Sequence, residues 1–116
     1  MKKLYWVGSS KKDLMLLPES VRRDFGHGLH LAQTGLKHDQ AKPLKGFGSA
    51  GVLEIISSGK GSTYRAVYTV KIQNAVYVLH CFQKKSKSGI ATPKHDIELI
   101  RNRLKEAQVH AEENRR

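Results

Sequence analysis

Three cationic side chains in the middle of the chain are candidates for binding a phosphate group. Arg65 is the one arginine inside the central apolar segments, and Lys84 and Lys85 directly follow the last of these segments. A guanidinium can hold a phosphate through two parallel hydrogen bonds, and a lysine ammonium acts as a compact point charge. We therefore predict that these residues contribute to a site for an anionic substrate. The competing interpretations are that Arg65 pairs with a carboxylate such as Glu54, and that the lysines are a solvated pair at a strand end.

Two further side chains, His80 and Tyr68, could assist at such a site. The ordinary pKa of histidine, about 6.5, suits proton transfer near neutral pH. His80 has apolar neighbours in the sequence, however, and a hydrogen-bonded core histidine explains it equally well. Tyr68 could stack on a base or donate a hydrogen bond to phosphate. In a regular strand Tyr68 would face away from Arg65, which favours core packing unless a bulge intervenes.

The net charge of +11 points to a polyanionic partner, and residues 37–93 alone contribute +7. The charge therefore belongs to the middle of the chain and not to a terminal tail. Nucleic acid, an acidic protein or an anionic membrane would each fit. Lys42 and Lys45, in a loop-like segment, and Lys87, in a basic segment over 83–91, could hold flanking phosphates. Each could instead be an ordinary solvated lysine.

Little in the sequence supports a metal site or a membrane anchor. His27 and His30 lie three residues apart, but no cysteine or carboxylate cluster completes a metal site with them. Acidic residues are sparse in the middle of the chain, which argues against a two-metal nuclease. Cys81 is the single cysteine, so no internal disulfide can form. Because no apolar run approaches about 18 residues and nothing indicates an oxidising compartment, we expect a cytoplasmic protein. As a separate prediction, we expect the protein to need no cofactor.

A small α+β fold must position these candidates, since 116 residues suit a single domain. Ser10, with Asp13 three residues later, predicts an N-cap for a first helix, and Thr92-Pro93 predicts the start of a last one. Periodicity and turn residues predict strands at 3–7, 52–57, 63–72 and 75–82 and helices at 10–17 and 18–34, with a loop at 35–50 and a frayed tail at 113–116. The order is β-α-α-β-β-β-α over residues 1–116.

The last three predicted strands are joined by the short turns Gly59-Lys60-Gly61 and Gln73-Asn74, so they should form an antiparallel meander. In the final strand, regular alternation predicts two faces. Val76, Val78, His80 and Phe82 would share one face, opposite Ala75, Tyr77, Leu79 and Cys81. Both faces are partly apolar, which indicates a sheet covered on both sides.

Several motifs, in this order and at this spacing, resemble the RelE/ParE toxin superfamily, and most closely its HigB-like branch that includes phage-derived relatives. The likeness covers nearly the whole chain. The motifs are Lys42-Pro43-Leu44-Lys45-Gly46, Gly51-Val52-Leu53-Glu54-Ile55, Tyr64-Arg65-Ala66-Val67-Tyr68, the segment from Tyr77 to Ser86 (YVLHCFQKKS), and the Thr92-Pro93 helix start followed by Ile97 and Arg101.

The resemblance implies a RelE-like fold in which two N-terminal helices and a C-terminal helix pack on a curved, mainly antiparallel four-stranded sheet. It also implies a toxin of a type II toxin-antitoxin system that cleaves mRNA without a metal, usually on the ribosome. Arg65, Lys84, Lys85 and His80 would be catalytic, and Lys42, Lys45, Tyr68 and Lys87 would bind RNA. The expected partner is a cognate antitoxin, often a helix-turn-helix protein, whose acidic residues would compete with phosphate for the basic site.

Two other functions remain compatible with the sequence. A ParE-like toxin would share the fold but inhibit DNA gyrase without catalysis, because one fold can carry different functions. A non-catalytic nucleic-acid-binding module would bind in a salt-dependent manner without arresting growth.

Overall fold

The computed structural model describes residues 1–84 and 92–115 and contains a five-stranded sheet with helices on both faces. The elements are β1 (Leu4–Trp6), α1 (Ser10–Met15), α2 (Glu19–Gln33), β2 (Ala41–Pro43), a 3-10 turn (Gly48–Ala50), β3 (Val52–Gly59), β4 (Ser62–Ile72), β5 (Ala75–Gln83) and α3 (Lys94–Glu113). The strand order is β1-β5-β4-β3-β2, with β1 parallel to β5 and the other neighbours antiparallel. The predicted α+β class and mainly antiparallel sheet are confirmed.

The predicted number of four strands is wrong, because β2 forms within the predicted loop 35–50. This strand has only three residues and pairs antiparallel with β3, so that Lys42 lies opposite Glu54. Such a short strand has no detectable periodicity, and proline is tolerated in it because it lies at the edge of the sheet. The pairing brings Lys42 from a predicted loop onto the sheet.

Two tight hairpins set the register of the meander. Gly59 pairs with Ser62 and Ile72 pairs with Ala75, so each loop has two residues. Both loop residues have positive φ in each case: Lys60 and Gly61 in one hairpin, Gln73 and Asn74 in the other. Two consecutive positive φ angles are the type I′ geometry that matches the twist of the paired strands. The predicted turns are therefore confirmed.

The two predicted N-cap residues are wrong, although the helices themselves are present. Ser10 is buried and its Oγ donates to the carbonyl of Val78 at 3.1 Å, while Ser9 takes the position before α1. Pro93, with an extended ψ of 148°, occupies the position before α3 in place of Thr92. The sequence signal located each helix start to within one residue, but the tertiary contact at Ser10 competed for its hydroxyl.

A β-bulge in β5 overturns the predicted alternation of that strand. His80 pairs with Val67, but the next residue of β4, Tyr68, pairs with Val78, so Leu79 is an extra residue. On α3, Arg103 Nη1 donates to the Leu79 carbonyl at 2.9 Å. Because a bulge shifts the alternation by one residue, the side chains beyond it change face.

The core side chains of the sheet form two clusters, one on each face. Val76, Val78 and Cys81 pack on the side of α1 and α2, with Val21, Phe25, Leu29, Ile55, Ala66 and Tyr68. Ala75, Tyr77, Leu79 and Phe82 pack on the side of α3, with Phe47, Val67, Ile100 and Leu104. The prediction that both faces are covered is confirmed. None of the described helices is long and apolar enough to cross a membrane.

Candidate phosphate-binding site

Arg65 and Glu54 form an ion pair on the face of the sheet that α3 covers. Arg65 lies opposite Ile56, and Glu54 is two residues before Ile56, so the two charged side chains are diagonal neighbours on adjacent strands. Arg65 Nη1 donates to Glu54 Oε1, and the residues are only 3% and 4% exposed. The structure therefore supports the competing interpretation of the sequence, in which Arg65 pairs with the carboxylate of Glu54. Any contribution of Arg65 to phosphate binding must come from a buried, already paired guanidinium.

Lys42 lies next to this ion pair, at the protein surface. It lies directly opposite Glu54 on the edge strand β2, and its side chain is exposed. A pocket of about 340 Å³ opens here, with Lys42, Lys45, Glu54 and Ile97 among its lining residues. The pocket therefore combines two exposed cations with one buried carboxylate, and α3 contributes an apolar wall through Ile97.

Lys84 lies within electrostatic reach of the same group of charges. Its backbone N–H donates to the carbonyl of Thr63 at 2.8 Å, which keeps the chain paired at the end of β5. Partial burial lowers the pKa of Lys84, and the positive charges of Arg65 and Lys42 lower this pKa further, against the opposing effect of Glu54. Lys42 on β2, Glu54 on β3, Arg65 on β4 and Lys84 at the end of β5 therefore lie on successive neighbouring strands of the sheet.

His80 shares the face of Arg65 because it is paired with Val67, but it is almost fully buried. Its Nε2 lies 2.8 Å from Oδ1 of Asp96 in the first turn of α3, and its ring stacks on Phe82 with centroids 4.4 Å apart. Burial lowers the pKa of His80 more than the hydrogen bond to Asp96 raises it. The ring is therefore mainly neutral at pH 7, with its proton on Nε2 facing the Asp96 carboxylate.

Of the four remaining predicted site residues, the structure describes two, Lys45 and Tyr68. Lys45 lines the pocket with Lys42. Tyr68 is fully buried on the opposite face, in the cluster under α1 and α2, where burial raises the pKa of its hydroxyl to about 12. The structure thus gives Tyr68 the core-packing role that alternation favoured. Lys85 and Lys87 lie outside the described residues.

Two acidic residues at the site, Glu54 and Asp96, were not predicted as functional. Glu54 is the only acidic residue between positions 40 and 95, and this isolation in a basic segment was an available signal. Asp96 had no comparable signal, because its partner His80 is 16 positions away and reaches it only through packing of α3. Over residues 1–84 and 92–115, no group of three or more histidine, cysteine or acidic side chains could hold a metal ion.

One family model, described as phage derived protein Gp49-like (DUF891), matches residues 12–105 of the chain. The chain therefore belongs to this phage-derived, toxin-like family, which is related to the RelE toxins. The matched segment contains the pocket and the residues Lys42, Glu54, Arg65 and Lys84. A search among curated proteins found no match.

Proposed function

We propose that this protein is the toxin of a type II toxin-antitoxin system, with HigB-like endoribonuclease activity that inhibits translation and growth. The observation that carries the proposal is a pocket lined by Lys42, Lys45 and Glu54, the carboxylate that pairs with Arg65, in a chain of the Gp49-like family. Lys84 follows the end of β5, where its backbone N–H donates to Thr63, two residues before Arg65. A phosphate entering the pocket would meet exposed ammonium groups and the field of a buried guanidinium. Binding and charge stabilisation of this kind are the large contributions to phosphodiester cleavage.

The proposed reaction uses the 2′-hydroxyl of the RNA as its nucleophile. The 2′ oxygen forms a bond to the adjacent phosphorus, the bond from phosphorus to the 5′ oxygen breaks, and the products are a 2′,3′-cyclic phosphate and a 5′-hydroxyl. The proton lost by the 2′ oxygen is balanced by the proton gained by the 5′ oxygen, so no metal or further reactant is needed.

Lys84 is the best candidate for transferring a proton in this reaction. Its lowered pKa brings the ammonium closer to the range in which lysines act as acids or bases. Lys42 and Lys45 would hold the phosphates on either side of the bond that breaks. Arg65 would stabilise charge on the phosphoryl oxygens and keep the pKa of Lys84 low, while Glu54 holds its guanidinium in position. His80 faces Asp96 instead of the pocket residues, so we give it no step.

The proposed partners are mRNA, in the cytoplasm and on the ribosome, and a cognate antitoxin. A toxin-like family implies an inhibitor that protects the host cell. An acidic segment of the antitoxin would compete with RNA phosphate for the cations of the pocket, and this competition would weaken with salt.

The test is primer-extension mapping of a defined mRNA after brief induction of the intact protein, Lys84→Ala, Lys84→Arg and Lys12→Ala. Lys12 is exposed on α1, on the other side of the sheet, and serves as the charge-matched control. We expect new cuts with the intact protein and Lys12→Ala, and a loss of about 10²-fold or more with Lys84→Ala. Lys84→Arg should restore little activity if Lys84 transfers a proton, because arginine keeps its proton.

The outcomes separate the alternative functions. Growth arrest without RNA cuts would contradict the nuclease proposal and favour a gyrase-type target. Neither arrest nor cuts, with salt-dependent binding of nucleic acid, would favour a binding module. Undiminished cuts in folded Lys84→Ala would remove Lys84 from the site.

A further inference from the structure

Arg101 on α3 has an unusual environment for an exposed arginine. Its guanidinium carbon lies 4.8 Å from the centroid of the Phe47 ring, and Nη2 donates to the Gly46 carbonyl at 3.4 Å. Its side chain is exposed, while Phe47 is 8% exposed and belongs to the core under α3. Over the described part of the chain, Arg101 forms no ion pair with a carboxylate. The guanidinium is therefore held by an aromatic ring and a carbonyl, and no carboxylate of the described residues pairs with it.

This arginine lies beside the phosphate-binding pocket. Gly46, which accepts its hydrogen bond, directly follows Lys45 of the pocket. Ile97, which lines the pocket, precedes Arg101 by four residues and thus by about one helical turn on the same side of α3. Arg101 is consequently at the rim of the pocket, next to the cations that would hold the RNA backbone.

We propose that Arg101, supported by Phe47, forms a binding site for one unpaired nucleobase of the RNA, a proposal that rests on the proposed function. A guanidinium plane stacks on a base as an aromatic ring does, and sequence-tolerant stacking is a common way to bind single-stranded RNA. The guanidinium carbon lies over the Phe47 ring, and the base packs against the part of the guanidinium that is exposed to solvent. The phosphates on either side of that base then reach Lys42 and Lys45.

The chemistry of the pocket explains why such a site is needed. Contacts from ammonium groups to phosphate position the RNA backbone but do not hold the bases, whereas a stacking contact holds one base beside the phosphates that flank it. The only aromatic ring in the segment 41–50 is Phe47, and its low exposure prevents it from stacking on RNA directly. Arg101 instead presents an exposed, planar cation above that ring. Its positive charge strengthens stacking on an electron-rich base.

The test measures binding of a short single-stranded RNA with 2′-deoxy substitutions, which prevent cleavage, and compares it with versions that lack one base at successive positions. The proteins are the intact chain, Arg101→Lys, and the control Arg23→Lys. Arg23 is an exposed arginine on α2, on the opposite side of the sheet, paired with Glu19. Lysine keeps the charge of Arg101 but removes the planar surface.

For the intact protein and Arg23→Lys, loss of one particular base should weaken binding by roughly 5- to 100-fold. For Arg101→Lys, loss of the same base should have no further effect, while binding of the complete RNA weakens by a similar factor. An equal penalty in the intact protein and Arg101→Lys would overturn the proposal. So would the absence of any position-specific penalty in the intact protein.

The result is separable from the proposed nuclease function. A base-specific penalty that depends on Arg101, in a protein that cleaves no RNA, would support the stacking site and contradict the nuclease. Cleavage by the intact protein, with identical base dependence in Arg101→Lys, would support the nuclease and overturn the stacking site. A second variant, Phe47→Leu, should show the same loss of base dependence as Arg101→Lys if its unfolding midpoint is maintained.

Discussion

The two faces of the sheet differ in what they bury. Under α1 and α2 the core is mainly apolar, with Phe25, Ile55 and Val78 among its members, and the buried polar groups there are the hydroxyls of Ser10, Ser57 and Tyr68. Under α3 the sheet also buries two charged or polar pairs, Arg65–Glu54 and His80–Asp96. Each fully buried aliphatic side chain contributes about 1.5–3 kcal/mol relative to an exposed one, whereas a buried ion pair has little net value after desolvation.

This difference indicates a division of roles between the faces. The face under α1 and α2 contributes to stability mainly through the burial of apolar side chains. The face under α3 buries charged groups, which costs desolvation free energy. The exposed cations Lys42 and Lys45 lie beside the buried Glu54 in the pocket. Buried charges that shift the pKa of a neighbour, as Arg65 does for Lys84, are found preferentially at functional sites. Three substitutions would test the division.

The largest effect should follow from breaking the Arg65–Glu54 pair on one side only. Arg65→Met leaves the Glu54 carboxylate buried without its partner, and we expect a loss of about 3–5 kcal/mol in the free energy of unfolding. The measurement is urea unfolding followed by circular dichroism. In the double variant Arg65→Met/Glu54→Leu, stability should return to the level of the intact protein or exceed it, while RNA cleavage stays absent. A double variant that cleaves RNA normally would show that the pair is purely structural.

An intermediate effect should appear in the pH dependence of stability through His80. Because burial lowers the pKa of His80 in the folded protein, the unfolded chain takes up this proton first as the pH falls through about 6.5. Stability should therefore decrease on acidification in this range, with a slope from this residue of at most about 1.4 kcal/mol per pH unit.

The control for this prediction is His80→Gln, which can still donate a hydrogen bond to Asp96 but does not titrate. Unfolding free energies measured between pH 5 and 7.5 should fall less steeply for this variant than for the intact protein. Identical slopes would mean that the pKa of His80 is ordinary in the folded protein. Asp96, Arg103 and Asp13 are the charged groups that act on His80 and remain unchanged in the comparison.

The smallest effect should come from Tyr68→Phe on the apolar face. The Tyr68 hydroxyl is buried, and within the described residues it has no hydrogen-bond partner. Removing it should raise the free energy of unfolding by about 1 kcal/mol, because an unsatisfied buried hydroxyl is costly. RNA cleavage should be unchanged in the same variant. A folded Tyr68→Phe protein with reduced cleavage would restore the sequence-based prediction that Tyr68 binds RNA.

The sequence-based predictions were correct where the signal depends on neighbouring residues and wrong where the structure depends on distant ones. The hairpin at Gln73-Asn74 and the start of the last helix near Pro93 were correctly located, since turn and proline signals act over a few residues. The strand at Lys42 was missed because three residues are too few to show the alternation of apolar and polar side chains that predicts a strand. The prediction that His80 shares a face with Val76 and Val78 was wrong, because alternation could not anticipate the bulge at Leu79.

Local patterns of apolar residues and turns were sufficient for the α+β class, the order of the main elements and the basic character of the central segment. Those properties depend on side-chain period, backbone preference and charge, all of which can be read without knowing which strands pair. Pairing register and helix packing determine the remaining features: the neighbouring positions of Lys42, Glu54, Arg65 and Lys84, the contact of His80 with Asp96, and the position of Arg101 over Phe47. These long-range contacts arise only when the whole core closes, because each one joins residues between 11 and 54 positions apart, and no local preference encodes such a distance.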